Sequence, residues 1–296
     1  MEFKQEFEKQ RVELEEVISG YLPSIEGYQK VIIDAMNYSM LAGGKRIRPM
    51  LMKSCYELFG GSNDAVLHPF LAAIEMIHTY SLVHDDLPAM DDDEFRRGRK
   101  TTHIVYGEDM GILAGDALLN YAFETAMKAA EVPGEETKVI KALQILSNKA
   151  GIYGMIGGQV VDVKNSNANI TLEVLNFIYR LKTSALMEAA MMIGAVLAGA
   201  TQNQVNLIEQ VAQSIGMAFQ IQDDILDVTS SIEELGKPIH SDEKNSKTTY
   251  VTLLGIEKSK ELVNQYTQEG LTLLHSLENS NEYLEHLLKY MIHRSN

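Results

Sequence analysis

The chain has 296 residues, 45% of them hydrophobic, which is enough for a substantial core and too many for a disordered chain. A formal net charge of −15 argues against nucleic acid or an anionic membrane surface as the main partner, so an anionic substrate would need local cations or metal ions. A single cysteine, Cys55, excludes an intramolecular disulfide, and the charged, amphipathic N-terminus has no signal-peptide core; both fit a reducing, cytoplasmic setting.

Helical spacing dominates the chain and strand alternation is scarce. The first predicted helices cover 3–20 and 27–42. The string "LAGGKRIRPM" follows at 41–50, with two glycines before Lys45, Arg46 and Arg48, and with Pro49 suited to the start of a helix. A flexible turn at a helix N-terminus can hold an anion. A solvated turn fits the same string. Helices at 49–59 and 66–86 come next. The second contains "FLAAIEMIHTYSLVHDD", apolar nearly all round, and suits the core. His78 on that helix reads either as a satisfied core histidine or as a polar group facing a site. No apolar run reaches the roughly 18 to 20 residues that span a bilayer, so no membrane span is expected.

The helix over 66–86 runs into the densest charge of the chain, "HDDLPAMDDDEFRRGRK" at 84–100. Six acidic residues fall within eleven positions, and Arg96 and Arg97 follow at once. On a straight helix Asp85 and Asp91 would lie about 120° apart. Pro88 disfavours that continuation and lets the chain turn back, bringing the two acids together. An all-oxygen set of this kind suits Mg²⁺, which keeps several waters and bridges to phosphates. Ca²⁺ is the competing ion, although the spacing is not that of an EF-hand loop.

After a predicted loop over 91–103, helices are expected at 108–130, 136–150, 151–163, 171–181, 183–200 and 203–228. Asp223 and Asp227, four residues apart, point within about 40° of each other on a helix, and Gln220 and Gly216 extend their row. The rest of that helix is largely apolar, so the stripe faces a cavity or a partner. Two carboxylates about 4 Å apart repel by about 4 kcal/mol at an effective dielectric of 20. They must protonate, find cations or bind metal. An acidic cluster at an exposed helix end is the plainer alternative. Lys182–Thr183, Lys237 and Lys247 are further candidates for holding an anion. The polar stretch over 229–248 has the length of a lid, and "KTTYVTL" at 247–253 fits either a strand or a helix. Helices over 258–278 and 281–293 finish the chain. No Gly/Ser-rich linker divides it, so one all-α domain over 1–296 is expected.

Six pieces then stand in order between residues 43 and 255: "GGKRIRP", "HTYSLVHDDLPAMDDDEFRRGRKTTH", "GMIGGQVVD", "KT" at 182–183, "FQIQDDILD", and "LGK" at 235–237 followed by "KTTYVTLLG". Together they resemble the trans-isoprenyl diphosphate synthases, and among them the bacterial farnesyl diphosphate synthases. The resemblance implies a single large helical bundle of the isoprenoid synthase type around a deep central cavity, assembled as a homodimer. It also implies Mg²⁺-dependent, head-to-tail condensation of isopentenyl diphosphate with an allylic diphosphate, geranyl or dimethylallyl, to give farnesyl diphosphate and pyrophosphate.

The same resemblance assigns roles. Asp85, Asp91 and Asp223 would hold several Mg²⁺ ions on the allylic diphosphate, with Asp86, Asp224 and Asp227 completing those sites. Arg96, Lys182, Thr183, Gln220 and Lys237 would touch the allylic substrate, and Lys247 would add to substrate binding. Lys45, Arg48, His78 and Arg97 would take isopentenyl diphosphate. Gln159 and Asp162 fall in a motif whose polar side chains face the reaction chamber. Catalysis would rest chiefly on Asp85, Asp91, Arg96, Lys182, Asp223 and Lys237. Tyr80, with Ser81 beside it, would set product length, since it lies five residues and about 7.5 Å below Asp85.

The six-residue step from Asp85 to Asp91 resembles the form of the motif in bacterial enzymes that make the fifteen-carbon product. Geranyl and geranylgeranyl diphosphate synthases are the near alternatives. A terpene cyclase normally carries Asn, Ser and Glu in its second metal motif, unlike "DDILD". A non-catalytic partner subunit would be expected to lose metal ligands or cations. A plain calcium-binding protein gives no account of Arg96, Arg97, Lys182 or Lys237.

Overall fold

Helix α4 (Asp64–Asp85) runs through the interior and delivers the first acidic motif at its C-terminal end. The computed structural model describes residues 2–166, 168–229 and 248–293. Ahead of α4 come α1 (Glu2–Gly20), α2 (Lys30–Met40) and α3 (Ile47–Leu58). Behind it lie a two-residue antiparallel hairpin, β1 (Phe95–Arg96) and β2 (Arg99–Lys100), then α5 (Thr102–Tyr106), α6 (Glu108–Met127), α7 (Glu136–Ala150) and α8 (Met155–Lys164). The chain continues through α9 (Leu172–Ile178), α10 (Ala185–Leu197), α11 (Gln202–Thr229), α12 (Tyr250–Leu254), α13 (Ile256–His275) and α14 (Glu282–Ile292). Among the described residues the fold is all-α, about 76% helical.

Two helices form the heart of the bundle. Every residue of α10 is buried, and α10 packs on α3, α7 and α11. Its small residues permit close approach: a Cβ on Gly194 would stand 2.2 Å from the Met52 carbonyl oxygen of α3. Helix α4 packs on α6 and α3, with Phe70, Leu71, Ile74 and Ile77 fully inside. Its start is fixed by Asn63, whose side chain accepts the Ala65 N–H at 3.1 Å as an N-cap. By length and composition α4 could cross a membrane, which counting uninterrupted apolar runs missed because Glu75 and His78 interrupt it. Most of it is buried within the protein, as befits a core helix.

Several predicted boundaries move for identifiable reasons. Helix α8 begins at Met155, not at 151: a Cβ on Gly154 would lie 2.0 Å from the Lys149 carbonyl oxygen, and Gly151–Gly154 form a turn. The predicted break near 182 is a wide π turn, Tyr179–Ser184, through which α9 runs into α10 without interruption. The loop over 91–103 holds the short hairpin and the start of α5. The ambiguous run at 247–253 resolves as helix α12 from Tyr250, started by a capping box between Thr249 and Thr252. The lid expected over 229–248 falls almost wholly outside the described residues.

Candidate active site

The turn after α4 does what Pro88 suggested. The Asp91 N–H donates to the Asp85 carbonyl oxygen at 2.8 Å and the Asp93 N–H to that of Asp86 at 3.2 Å, so the second acid of the motif folds back over the first. Asp92 takes a left-handed backbone, φ 55°, to complete the reversal. Burial raises the Asp85 carboxyl above its ordinary range; Lys182 opposes that rise, and Asp91 adds to it. Asp85 also accepts Gln159 Nε2 at 2.7 Å, which ties the motif to α8. Asp86, in contrast, is 3% exposed and accepts Arg96 Nε at 2.6 Å, while Arg96 also reaches Asp93 at 3.2 Å. Burial pushes the Asp86 carboxyl up to about 6 against the pull of Arg96.

Lys182 and Thr183 sit in the π turn between two glycine contacts. A Cβ on Gly158 of α8 would meet the Lys182 backbone nitrogen at 2.2 Å, and one on Gly216 of α11 would meet Ser184 Oγ at 2.3 Å. The turn therefore lies tight against both helices, and a π turn at a functional site is a recurrent device. Lys182 Nζ donates to Asp162 Oδ2 of α8 at 2.6 Å, and the fields of Asp85 and Asp91 also reach it. Thr183 Oγ1 donates to Gln220 Oε1 of α11 at 2.8 Å. The two aspartate motifs are thus joined through one path: Asp85 to Gln159, α8 to Lys182, Thr183 to Gln220, and α11 on to Asp223. A cavity of about 110 Å³ beside this path is lined by Asp162, Tyr179, Lys182, Thr183, Gln220 and Asp224.

On α11, Asp223 and Asp227 are partly exposed, whereas Asp224 is buried. Both Asp224 oxygens accept the Tyr179 hydroxyl, at 2.9 and 2.8 Å, and Oδ2 also accepts the Tyr250 N–H at 2.9 Å. In this structure the Asp224 carboxylate is engaged by these hydrogen bonds inside the fold. Asp86 is gripped by Arg96, which thus meets acids of its own motif.

The second cationic group forms around the turn before α3. Arg97, itself left-handed at φ 53°, donates to the Gly43 carbonyl oxygen, and its guanidinium would lie 2.7 Å from a Cβ on Gly44. Arg48 Nε is buried without a hydrogen-bond partner among the described residues. Burial lowers the Arg48 guanidinium to about 10, with Glu75 opposing and Arg97 adding to the fall. Burial and the neighbouring Arg48 and Arg97 hold His78 well below the ordinary imidazole range. Lys45 is exposed on the same turn.

Sequence reasoning missed the residues behind this group. Arg46 is internal, bonding Glu15 at 3.0 Å, Glu75 at 2.6 Å and the Met40 carbonyl oxygen at 2.7 Å. Glu75, three residues before His78 on an apolar helix, was the available signal. Tyr179 had none. Lys237 and Lys247 lie outside the described residues.

Residues 29–291 match the polyprenyl synthetase family. The chain belongs to it. A geranylgeranyl diphosphate synthase of Cyanophora paradoxa is 43% identical over 285 residues, 96% of this chain and 93% of that one. A farnesyl diphosphate synthase of Geobacillus stearothermophilus is 42% identical over 253 residues, 86% of this chain and 84% of that one. Among solved structures, an FPP/GFPP synthase of Zymomonas mobilis matches with TM-score 0.87 and 28% identity over 98% of this chain and 99% of that one. A geranyltransferase of Helicobacter pylori, complexed with magnesium and isoprenyl diphosphate, matches with TM-score 0.84 and 32% identity over 97% and 95%. This polyprenyl synthetase is a prenyltransferase of the trans-prenyl synthase type.

The donor set fits a hard divalent ion, being carboxylate oxygen at Asp85, Asp91, Asp223 and Asp227. Among the described residues no three acidic, imidazole or thiol side chains converge to hold an ion unaided. An ion here would share its ligands with water and phosphate oxygens, which is the habit of Mg²⁺.

Proposed function

We propose that this prenyltransferase condenses isopentenyl diphosphate with geranyl diphosphate, and also with dimethylallyl diphosphate, releasing pyrophosphate and giving farnesyl diphosphate as its end product. The observation that supports the reading is the path from Asp85 through Lys182–Thr183 to Gln220, which links the helices that carry the two aspartate motifs. Asp85, Asp91 and Asp223, with Asp227 in support, would hold Mg²⁺, which when bound supplies Lewis-acid stabilisation to the departing diphosphate.

The chain's own residues do the rest. Lys182, already between Asp162 and Asp85, takes a share of the charge that builds as the allylic carbon–oxygen bond breaks. Arg48, Arg97, Lys45 and His78 orient isopentenyl diphosphate so that its double bond attacks the allylic carbocation. The new carbon–carbon bond leaves a tertiary cation, which loses a proton to the released pyrophosphate. Neutral at working pH, His78 can accept or donate a hydrogen bond without adding charge. The apolar wall of α4 keeps water from quenching the cation.

Identity does not separate product lengths, since the relatives include geranylgeranyl and farnesyl diphosphate synthases at 43% and 42%. Tyr80 supports the shorter product. It is 5% exposed, and its phenol is pushed up to about 12 by burial and then by the nearby Asp85. A ring there would close a channel running down from the acids. Ser81, whose hydroxyl turns back to the His78 carbonyl oxygen at 2.9 Å, leaves the adjoining position small. The relatives favour a second reading, a twenty-carbon product, which the same assay separates.

The proposal includes a homodimer. Ile104, Val105, Ile112 and Leu113 on α5 and α6 are all more than 40% exposed, an apolar face suited to a second copy. Incubation with isopentenyl and geranyl diphosphates, with and without Mg²⁺, followed by chromatography of the dephosphorylated products, tests the reaction. Metal-dependent pyrophosphate release with a fifteen-carbon alcohol is the expected result. A dominant twenty-carbon alcohol reassigns the product, and no metal-dependent release removes catalysis.

A further inference from the structure

The π turn and α11 are clasped at three successive places. Tyr179 meets Asp224, Thr183 meets Gln220, and Ser184 packs into the space left by Gly216. The first two pairs are four residues apart on both elements, so they act as two rungs of one clasp. Lys182 lies between the rungs in sequence but points to the other neighbour, Asp162 of α8. One turn of chain therefore sets the distance between the cation Lys182 and the acids of α11.

Helix geometry shows what the Tyr179 rung controls. Relative to Asp224, Asp223 is rotated by about 100° and Asp227 by about 60°, both to the same side. Holding Asp224 inward therefore turns the Asp223–Asp227 face toward one side only. Asp224 is well placed to be held: it is 3% exposed, and three donor contacts from Tyr179 and the Tyr250 N–H reach its oxygens. Tyr250 opens α12, and its hydroxyl bonds Asn176 of α9, so the same carboxylate also ties down the elements on either side.

We propose that Tyr179 is a positioning residue for prenyl transfer, its hydroxyl locking Asp224 inside the fold so that Asp223 and Asp227 face the crevice in register with Lys182. Asp224 serves as the anchor of α11 and not as an ion ligand. The inference rests on the proposed function in one respect, that a metal–diphosphate occupies the crevice.

The test uses the full chain and its Tyr179→Phe, Asp224→Asn and doubly substituted variants. Two readouts are needed: Mg²⁺-dependent binding of inorganic pyrophosphate by calorimetry, and separate KM values for the two substrates. Each single variant is expected to weaken pyrophosphate binding and raise the allylic KM by about five- to fiftyfold, the range for a buried charged acceptor losing one donor. The isopentenyl KM should stay within about twofold, and the double variant should be no worse than either single one, as for two groups acting as one unit.

Additive losses overturn the proposal, as does a loss in Asp224→Asn with Tyr179→Phe unchanged, which would make Asp224 an ion ligand in its own right. So does an equal fall in every constant together with a lower Tm, the mark of a purely structural role. Wild-type protein that binds no pyrophosphate with Mg²⁺ refutes the proposed function itself. Normal wild-type binding with unaltered variants refutes this inference alone.

Discussion

Gln159 of α8 donates Nε2 to Asp85 Oδ1 of α4 at 2.7 Å, so the first acid of the site is oriented by a helix more than seventy residues further along the chain. Its carboxylate is one that burial and Asp91 already press toward protonation. Removing the donor leaves a buried charged acceptor short of a bond, a loss of about 1–3 kcal/mol. Gln159→Leu is expected to lower kcat/KM for the allylic diphosphate at least about fivefold with little change in the isopentenyl KM. Steady-state kinetics with each substrate varied in turn checks this; unchanged allylic kinetics would contradict it.

Gly158 is expected to be intolerant of even one methyl group. A Cβ there meets the backbone nitrogen of Lys182, which no side-chain rotation relieves. Gly158→Ala should lower stability by about 1–3 kcal/mol and displace Lys182 from Asp162. Urea unfolding and the allylic KM, measured together, test both halves. A variant with wild-type values in each would show that α8 and the π turn do not need their close approach.

Tyr80 allows a sharper test of product length than deletion alone. Its hydroxyl is buried without a hydrogen-bond partner among the described residues, so the ring and not the oxygen should set the floor. Tyr80→Phe is expected to keep the fifteen-carbon product, and Tyr80→Ala to extend it to twenty carbons or beyond. Identical product distributions from Tyr80→Ala and wild type would show that the floor lies elsewhere.

His78 gives a pH signature. In the unfolded chain it takes up a proton near pH 6.5, whereas in the fold burial and the arginines keep it neutral to well below that value. Below about pH 6.5 the unfolded state therefore binds the extra proton, and stability falls as pH falls. His78→Gln should escape that term, losing about 1 kcal/mol less than wild type between about pH 7.5 and 5.5. Urea titrations at the two pH values check it; equal losses would contradict a neutral His78.

What the sequence revealed of this site followed local rules. The return of Asp91 to Asp85 was legible because Pro88 acts within a few residues, and the Asp223–Asp227 stripe because a helix repeats every 3.6 residues. The apolar run of α4 announced a core helix for the same reason. Long-range partners were not legible. That Asp224 belongs to Tyr179, forty-five positions away, and Arg46 to Glu15 and Glu75, depends on tertiary packing that no spacing encodes. The π turn was read as a break between helices because its widened turn shifts the apolar period by one residue, and the shift resembles an interruption.

The central claim, that the ends of α4 and α11 serve one diphosphate, is tested most directly by metal-dependent pyrophosphate release from geranyl and isopentenyl diphosphates in wild type, Asp85→Asn, Asp223→Asn and the double variant. Each single substitution is expected to reduce kcat by about a thousandfold, with the double variant little worse, as for groups that act as one unit. Wild-type turnover in either single variant, or strictly multiplicative losses in the double one, would contradict a shared site.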